Sequence, residues 1–515
     1  MEQVFQFIQI LLPFLLLIFT VLRLWKKLQG KISSTPAPPP GPWKLPLIGN
    51  LHQLLGSLPH QVLRDMASKY GPVMQLQIGE VSTVIISSPE AAKEAMKTHE
   101  INFVDRPCLL VAKVMFYNSK DIGFAPYGDY WRQMKKVCVL ELLSAKRVKS
   151  FRSIREKEVS NFIRTIYSRA GSPINLSKMM FDLFNGITSR TSVGKKYKHQ
   201  EAFLPIIEHV MEAVGDANIA DVFSSSKLLY KISRYRSRLE RSHQDADEIL
   251  ENIIYEHRVC REVAKTGEES EAEDLLDVLL NLQDHGDHGF PLRTDSIKAT
   301  ILELFTAGSD TSSTLMEWTM SEMFRNPRVM RKAQEEVRQV FSNTVNVDEA
   351  SLHNLKFLKL IIKETLRLHP PGPLIPRECN KTCEINGYVI QAKSKVMINA
   401  WAIGRDSDHW TEAEKFYPER FLDSSIDYMG TNFEFIPFGA GKRMCPGILF
   451  GIATVELLLA QLLYHFDWKL PNGELLEDLD MNEVFGGTVR RKHQINLIPI
   501  PFRPCNEENL PRFSP

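Results

Sequence analysis

The chain has 515 residues, 43% of them hydrophobic and 24% charged, with a formal net charge of +1. Such a chain can bury a large core, and length alone would allow about three domains. The balanced charge, with no dense basic run interleaved with aromatics, excludes nucleic acid as a partner, and seven cysteines scattered along the chain exclude a disulfide framework in favour of a reduced, cytosol-facing body.

From Val4 to Leu22 the chain is apolar apart from Gln6, Gln9, Pro13 and Thr20, and about twenty such residues span a bilayer. Glu2 precedes this stretch, while Arg23, Lys26, Lys27 and Lys31 follow it. A cleaved leader would begin basic and end on small residues, so the segment reads as an anchor with its C-terminal flank in the cytoplasm. On that topology the sequons at Asn175 and Asn380 are expected to stay unmodified. Next, Pro36–Trp43 is too proline-rich for helix or inner strand and reads as a stiff spacer. The expected division is an anchor over 1–23, a basic and proline-rich hinge over 24–50, and one body over 51–515 without internal repeats or a second linker.

Val73–Ile78 and Thr83–Ile86 alternate or cluster apolar residues between turn signals and predict strands; most of the remainder is helical. Long periodic segments fill residues 150–258. The acidic run 268–274 reads as a solvated turn, and the histidines within 284–289 as a glycine-marked loop between helices. Thr294–Trp318 predicts a helix, with Thr294 as N-cap and one face built from Ile297, Ile301, Leu304, Thr311 and Leu315. Gly308, Asp310 and Thr311 sit oddly in a helix otherwise suited to burial, although a serine and threonine helix bonding back to its own carbonyls would also look this way. Glu364 and Arg367 are neighbours on a helix face. Cys379 and Cys383 have no second pair or histidine couplet to complete a metal site.

The run Phe438–Gly447 is the densest in special residues. Glycines let the backbone aim N–H groups at one cysteine, Arg443 places a cation two residues upstream, and Pro446-Gly447 opens an apolar helix whose N-terminus favours negative charge. This is how a thiolate is held against a metal; a buried structural cysteine is the other reading of the loop alone.

The loop resembles the haem-binding loop of the cytochrome P-450 family, Phe-x-x-Gly-x-Arg-x-Cys-x-Gly, with every fixed position matched. The resemblance extends in order through the anchor, the proline hinge, the Trp131-Arg132 helix, the Ala307–Ser312 segment, Glu364-x-x-Arg367, Pro418–Phe421 and the cysteine loop. It implies a mainly α fold with a small β portion, haem b as cofactor and Cys445 as axial iron ligand. Asp310 and Thr311 would deliver protons through water, with the small residues beside them leaving room for dioxygen. Trp131, Arg132, Lys135, Arg377, Arg443 and Phe438 would hold the haem, with Lys135 standing where the family usually has arginine. Glu364, Arg367 and Arg420 would close a buried structural network. The implied reaction inserts one oxygen atom of O2 into a C–H bond, with electrons from NADPH through a membrane-bound cytochrome P-450 reductase at the endoplasmic reticulum. A haem-thiolate isomerase or dehydratase needing no reductase, and a non-catalytic membrane protein of the same fold, are the rivals.

More narrowly, Trp43–Asn50, Tyr127–Arg132 and Asn399–Asp406 are similar to the plant group that oxidises terpenoids, with casbene-type diterpene oxidases the nearest likeness. The likeness implies a hydrophobic terpenoid substrate; a sesquiterpene, a monoterpene or another specialised metabolite is the alternative. Pocket residues implied by the analogy are Ile301, Phe305, Ala307, Leu374, Ile375, Val484 and Phe485.

Overall fold

The computed structural model describes residues 37–194, 200–215, 219–223, 234–264, 273–285, 291–342, 347–471, 473 and 475–503. The anchor, the start of the hinge, most of the acidic run and the glycine-marked loop at 286–289 lie outside them.

The proline segment is not a free spacer from Ala37 onward. It lies along a sheet: Gln75 N donates to Pro40 O (2.8 Å) and Val389 N to Ala37 O (3.2 Å). A Cβ on Gly41 would sit 2.0 Å from Gln75 O, so only glycine allows this approach. Helix α1 (Pro59–Tyr70) begins on proline, which suits a first turn because its missing N–H has no partner there anyway. The two apolar runs form β1 (Val73–Ile78) and β2 (Val81–Ile86), antiparallel with Val73 opposite Ile86. The last four residues of β2 are all buried, as an inner strand requires.

The helical body follows as α2 (Asp129–Val137), α3 (Arg152–Tyr167), α4 (Leu176–Val193), α5 (Gln200–Gly215), α6 (Arg234–Ala264), α7 (Leu275–His285), α8 (Thr294–Arg325) and α9 (Lys356–Leu368). Asn175 caps α4, its side chain accepting from Lys178 N at 2.9 Å. Helix α8 runs seven residues beyond the expected end, and Thr294 is its first helical residue; the cap position belongs to Arg293, which makes no side-chain capping bond. Several of its hydroxyls are satisfied locally: those of Thr300, Thr306, Thr311 and Thr319 each bond the carbonyl four residues back, which helps so polar a helix run through the core.

Strands β3 (Leu374–Glu378), β4 (Cys383–Ile385), β5 (Tyr388–Ile390) and β6 (Lys395–Asn399) come next. The main sheet has the order β1-β2-β6-β3, with β2 and β6 parallel. Helix α10 (Ile448–His465) is long and apolar enough to cross a membrane, yet two-thirds of it is buried in the body, which marks it as a core helix. It leads into β7 (Phe466–Lys469), the hairpin β8 (Glu483–Phe485) and β9 (Val489–Arg491), and β10 (Asn496–Pro501), which pairs with β7 and with Ile174–Asn175. Helix α8 packs against α4, α5, α9, α10 and β9; the site lies where α8 faces the start of α10.

Candidate active site

The cysteine loop is closed by its own backbone, Cys445 N donating to Phe438 O at 3.1 Å, and bends through a short 3-10 turn at Gly441–Arg443. Gly439 and Gly441 have φ of 69° and 70°. A Cβ on Gly441 would fall 2.3 Å from Glu100 Oε1 and 2.5 Å from Met96 O, so conformation and space both demand glycine there. The loop is also held from α2, where Lys135 Nζ donates to Met444 O at 2.7 Å. Burial pushes the Cys445 thiol up, opposed by the N–H of Gly447 and the charge of Lys135. These are the donors a bound metal would exploit, because coordination deprotonates a thiol outright.

Although Cys445 lies deep in the body, its side chain opens onto a cavity with about 1090 Å³ of empty space, its mouth included. Cys445, Pro446 and Phe438 form one wall, and Ala307, Gly308 and Thr311 of α8 form another. Beside this space three guanidinium groups are buried together. Arg377 donates to its neighbour Pro376 O (2.9 Å) and approaches Met96 Sδ (3.9 Å). Arg106 also bonds Pro376 O and leaves its Nε without a partner. Arg443 donates to Val104 O, Ile122 O and Ala125 O at 2.6–3.0 Å. Burial and then mutual repulsion hold Arg377 well below the usual arginine range and bring Arg106 down to about 9, while burial brings Arg443 to about 10. Among the described residues no carboxylate forms an ion pair with these three arginines, although Asp121 and Glu303 lie near, and such a buried cation cluster is where an anionic group gains most. A thiol facing a cavity with such a cluster at its edge fits haem, which carries one iron and two propionates.

The network of Glu364, Arg367 and Arg420 is closed. Arg367 donates to both Glu364 oxygens at 2.8 Å, Arg420 Nε donates to Oε1 at 2.9 Å, and Tyr417 N donates to the same oxygen at 2.8 Å. Arg367 also reaches Gly404 O and Ala413 O (2.6 Å each), tying α9 to the segment ahead of the cysteine loop.

Several expected residues stand elsewhere. Arg132 is at the surface, paired with Asp129 and lying over Tyr127; on α2 residues 131 and 135 share a face and 132 is turned about 100° away. Trp131 is buried, but its N–H is taken by Ile122 O (3.0 Å), and its ring lies 4.2 Å from the Arg443 guanidinium, so it supports that arginine. Thr311 lines the cavity and Asp310, the next residue, does not: Asp310 accepts from Thr488 Oγ1 at 2.6 Å on the far side of α8. Gly308 was expected to make room for dioxygen, but its Cβ would meet Thr188 Oγ1 and Cγ2 at 3.2 and 3.3 Å, so its smallness also serves the close crossing of α4.

Of the expected pocket residues only Ala307 lines the cavity. Ile301 and Phe305 are in the core, Phe305 edge-on to Phe203 at 5.1 Å. Leu374 and Ile375 pack with the sheet, Val484 is exposed, and Phe485 stacks on His60. The cavity is lined instead by Leu143, Thr188, Leu304, Leu315 and Phe450, with Glu303 among them. Glu303 accepts from Ile122 N (2.7 Å) and Gly123 N (2.8 Å), and beside it Asp121 accepts from Phe124 N (2.9 Å). Burial raises both carboxyls, and for Asp121 the nearby Glu303 charge adds to it. Neither acid, nor Arg106, carries a periodic signal; they surface only once the turn at 121–125 is seen against α8.

Two other clusters do not compete with this site. An open groove between α5 and α6 mixes Arg238, Arg241, Asp245 and Glu248 and contains none of the motif residues. His257, Asp274 and Asp277 have metal-ligand spacing, yet Asp274 is engaged by His257 (2.9 Å) and Asp277 N (2.9 Å) in capping α7.

A thiol presented to a cavity beneath a long helix, with buried arginines at its rim, defines a haem-thiolate protein. Residues 38–498 match the cytochrome P450 family, and the chain belongs to it. It is 52% identical over 495 residues to cytochrome P450 726A27 of Euphorbia lathyris, covering 96% of this chain and 97% of that one. It is 48% identical over 504 residues to premnaspirodiene oxygenase of Hyoscyamus muticus, covering 98% and 100%. Among solved structures a zebra fish cytochrome P450 determined with abiraterone superposes with a TM-score of 0.72 at 22% identity, over 87% of this chain and all of that one. The chain is therefore a haem-dependent enzyme of the monooxygenase class.

Proposed function

We propose that this chain hydroxylates a hydrophobic terpenoid, specifically a casbene-type diterpene, consuming O2, NADPH and a proton and yielding an alcohol, water and NADP⁺. The observation that carries the reading is the cavity with Cys445 on one wall and the Ala307–Thr311 face of α8 on the other. Cys445 would hold haem b there as its thiolate ligand, and the group when bound would supply oxygen activation. Arg377, Arg443 and Arg106 would hold the propionates, Lys135 holds the loop carbonyl of Met444, and Phe438 packs at the cavity wall. Thr311 Oγ1, bonded to Ala307 O at 2.7 Å, is the hydroxyl that hands a proton into the cavity, and Asp310 reloads it. Leu143, Leu304, Leu315 and Phe450 give the apolar surroundings that a hydrocarbon needs.

The terpenoid assignment is supported by the likeness of residues 43–50, 127–132 and 399–406 to that plant group and by a relative named as an oxygenase of a diene. A smaller terpene hydrocarbon is the second reading, favoured by the same relative. Electrons come from NADPH through cytochrome P-450 reductase, with the body on the cytosolic face of the endoplasmic reticulum membrane. Exposed Trp43, Leu47 and Leu55, at 67, 87 and 69% of full accessibility, support contact with a lipid surface just after the anchor. The capping role of Asn175 fits a sequon left unmodified.

The test is incubation of the membrane-bound chain with reductase, NADPH, ¹⁸O2 and a panel of macrocyclic diterpene, sesquiterpene and monoterpene hydrocarbons, with products read by mass spectrometry. One ¹⁸O atom in a diterpene alcohol is expected. Labelled product from a smaller terpene alone moves the substrate class; product formed without reductase or NADPH overturns the monooxygenase reading.

A further inference from the structure

Asp310 is an acid whose partners the sequence did not supply. It is buried, on the side of α8 turned away from the cavity, and next in the chain to cavity-lining Thr311. What meets it there is the turn and second strand of the β8–β9 hairpin. Thr488 Oγ1 donates to Asp310 Oδ2 at 2.6 Å, and Arg490 Nη1 lies 3.5 Å from Oδ1. Thr314, one turn further along α8, adds its hydroxyl to Thr488 at 3.3 Å. Arg490 differs from the other two in exposure, its side chain being 31% accessible against 2% for Asp310, so it spans from solvent to the buried acid. The hairpin also abuts the cavity wall, because Val489 N donates to the carbonyl of cavity-lining Pro371 at 3.0 Å.

We propose that Arg490, with Thr488, is the positioning residue of the proton path, fixing the Asp310 carboxylate on the hairpin side of α8 and making this hairpin the place where protons enter from solvent. The inference rests on the assignment of Asp310 and Thr311 as the proton-delivering pair. Arginine does not give up its own proton; it orients the carboxylate and keeps a wetted, charged edge leading to it. Its charge also sets the acid. Burial raises Asp310, and the charge of Arg490 and then the Thr488 hydroxyl pull it back. Among the described residues these are the groups that face Asp310. Glu317, further along α8, is also within the field of Arg490 and of Arg491.

The full-length, haem-loaded chain in membranes tests this with Arg490→Gln, Arg490→Lys, Thr488→Val and Asp310→Asn. The readouts are the pH midpoint of the carboxyl C=O infrared band lost in Asp310→Asn and the fraction of NADPH electrons that reach product rather than peroxide. Arg490→Gln should move the midpoint upward by about one pH unit, as loss of an opposite charge within a few ångströms does, and lower the product fraction. Arg490→Lys should restore both in large part, and Thr488→Val should shift the midpoint in the same direction by less. An unmoved midpoint in both Arg490→Gln and Thr488→Val, with the band still absent in Asp310→Asn, overturns the role of the hairpin and leaves Asp310 in place. An Asp310→Asn enzyme with wild-type product fraction overturns the proton pair itself.

Discussion

Removing the Glu364 carboxylate strands two arginines at once. Arg367 has no exposed side-chain surface and Arg420 is 9% accessible; in Glu364→Ala each keeps bonds to backbone carbonyls but loses the only close anion it has among the described residues. Three charge-assisted bonds and the Tyr417 N–H lose their acceptor together. Breaking a buried pair at one partner costs about 3–5 kcal/mol, a large share of the roughly 5–15 kcal/mol that separates a folded chain from an unfolded one. Because the network ties α9 to the segment ahead of the cysteine loop, the loss should appear as haem content. The assay is haem per chain, from the reduced carbon-monoxide difference spectrum against immunoblot, together with the temperature of inactivation. Glu419→Ala is the control: its partners Arg328 and Lys332 have half-exposed side chains, and such pairs are worth about 0–1 kcal/mol. Equal haem content and equal thermal resistance in Glu364→Ala and Glu419→Ala would refute the reasoning.

Gly441→Ala places a Cβ against Glu100 and Met96 O at a left-handed φ; strain of about 1–3 kcal/mol should empty the loop of haem, and a fully loaded variant would contradict this. Gly308→Ala should lower thermal resistance by overpacking the α4 crossing, by about 1–3 kcal/mol, and adding Thr188→Ala should restore most of it; a double mutant no better than the single would sink the explanation. His465 is held neutral, its pKa brought down to about 3 by burial and then by Arg503, with Tyr167 and Gln461 on its ring nitrogens. Its folded pKa lies below its unfolded one, so its contribution is intact above about pH 6.5 and is lost as pH falls toward 3, at up to about 1.4 kcal/mol per pH unit. Denaturant midpoints measured from pH 7 to 4 should fall more steeply for the wild type than for His465→Gln, and parallel curves would count against it.

What could be read without coordinates was whatever a local pattern encodes. The Phe438–Gly447 loop carries its own turn and donor requirements, so ten residues suffice to single out Cys445 as the candidate ligand. Glu364 and Arg367 lie one turn apart on a helix, and β1 and β2 announce themselves by short apolar runs between turn signals. What escaped depends on which neighbour a face meets. Residues 131, 132 and 135 look equivalent as cation and donor suppliers until α2 is rotated, when Arg132 turns to solvent and Trp131 gives its N–H to Ile122. Asp310 and Thr311 are adjacent in sequence, but the cavity face of α8 is made by 303 and 304, 307 and 308, and 311 and 312, and Asp310 falls just off its edge. Arg106 and Asp121 lie in loops on either side of the short helix Leu110–Met115 and Glu303 lies nearly two hundred residues on in α8, and no spacing rule joins them. The pocket residues taken by analogy other than Ala307 stand off the cavity for the same reason: Phe305 packs on Phe203, and Val484 is exposed.

The account stands on Cys445 holding haem as a thiolate, and one measurement addresses that directly: the reduced carbon-monoxide difference spectrum of the full-length chain beside that of Cys445→Ser. The wild type should give the red-shifted thiolate band, and the variant should lose it. A wild-type spectrum without that band, or a variant that keeps it, would contradict the assignment.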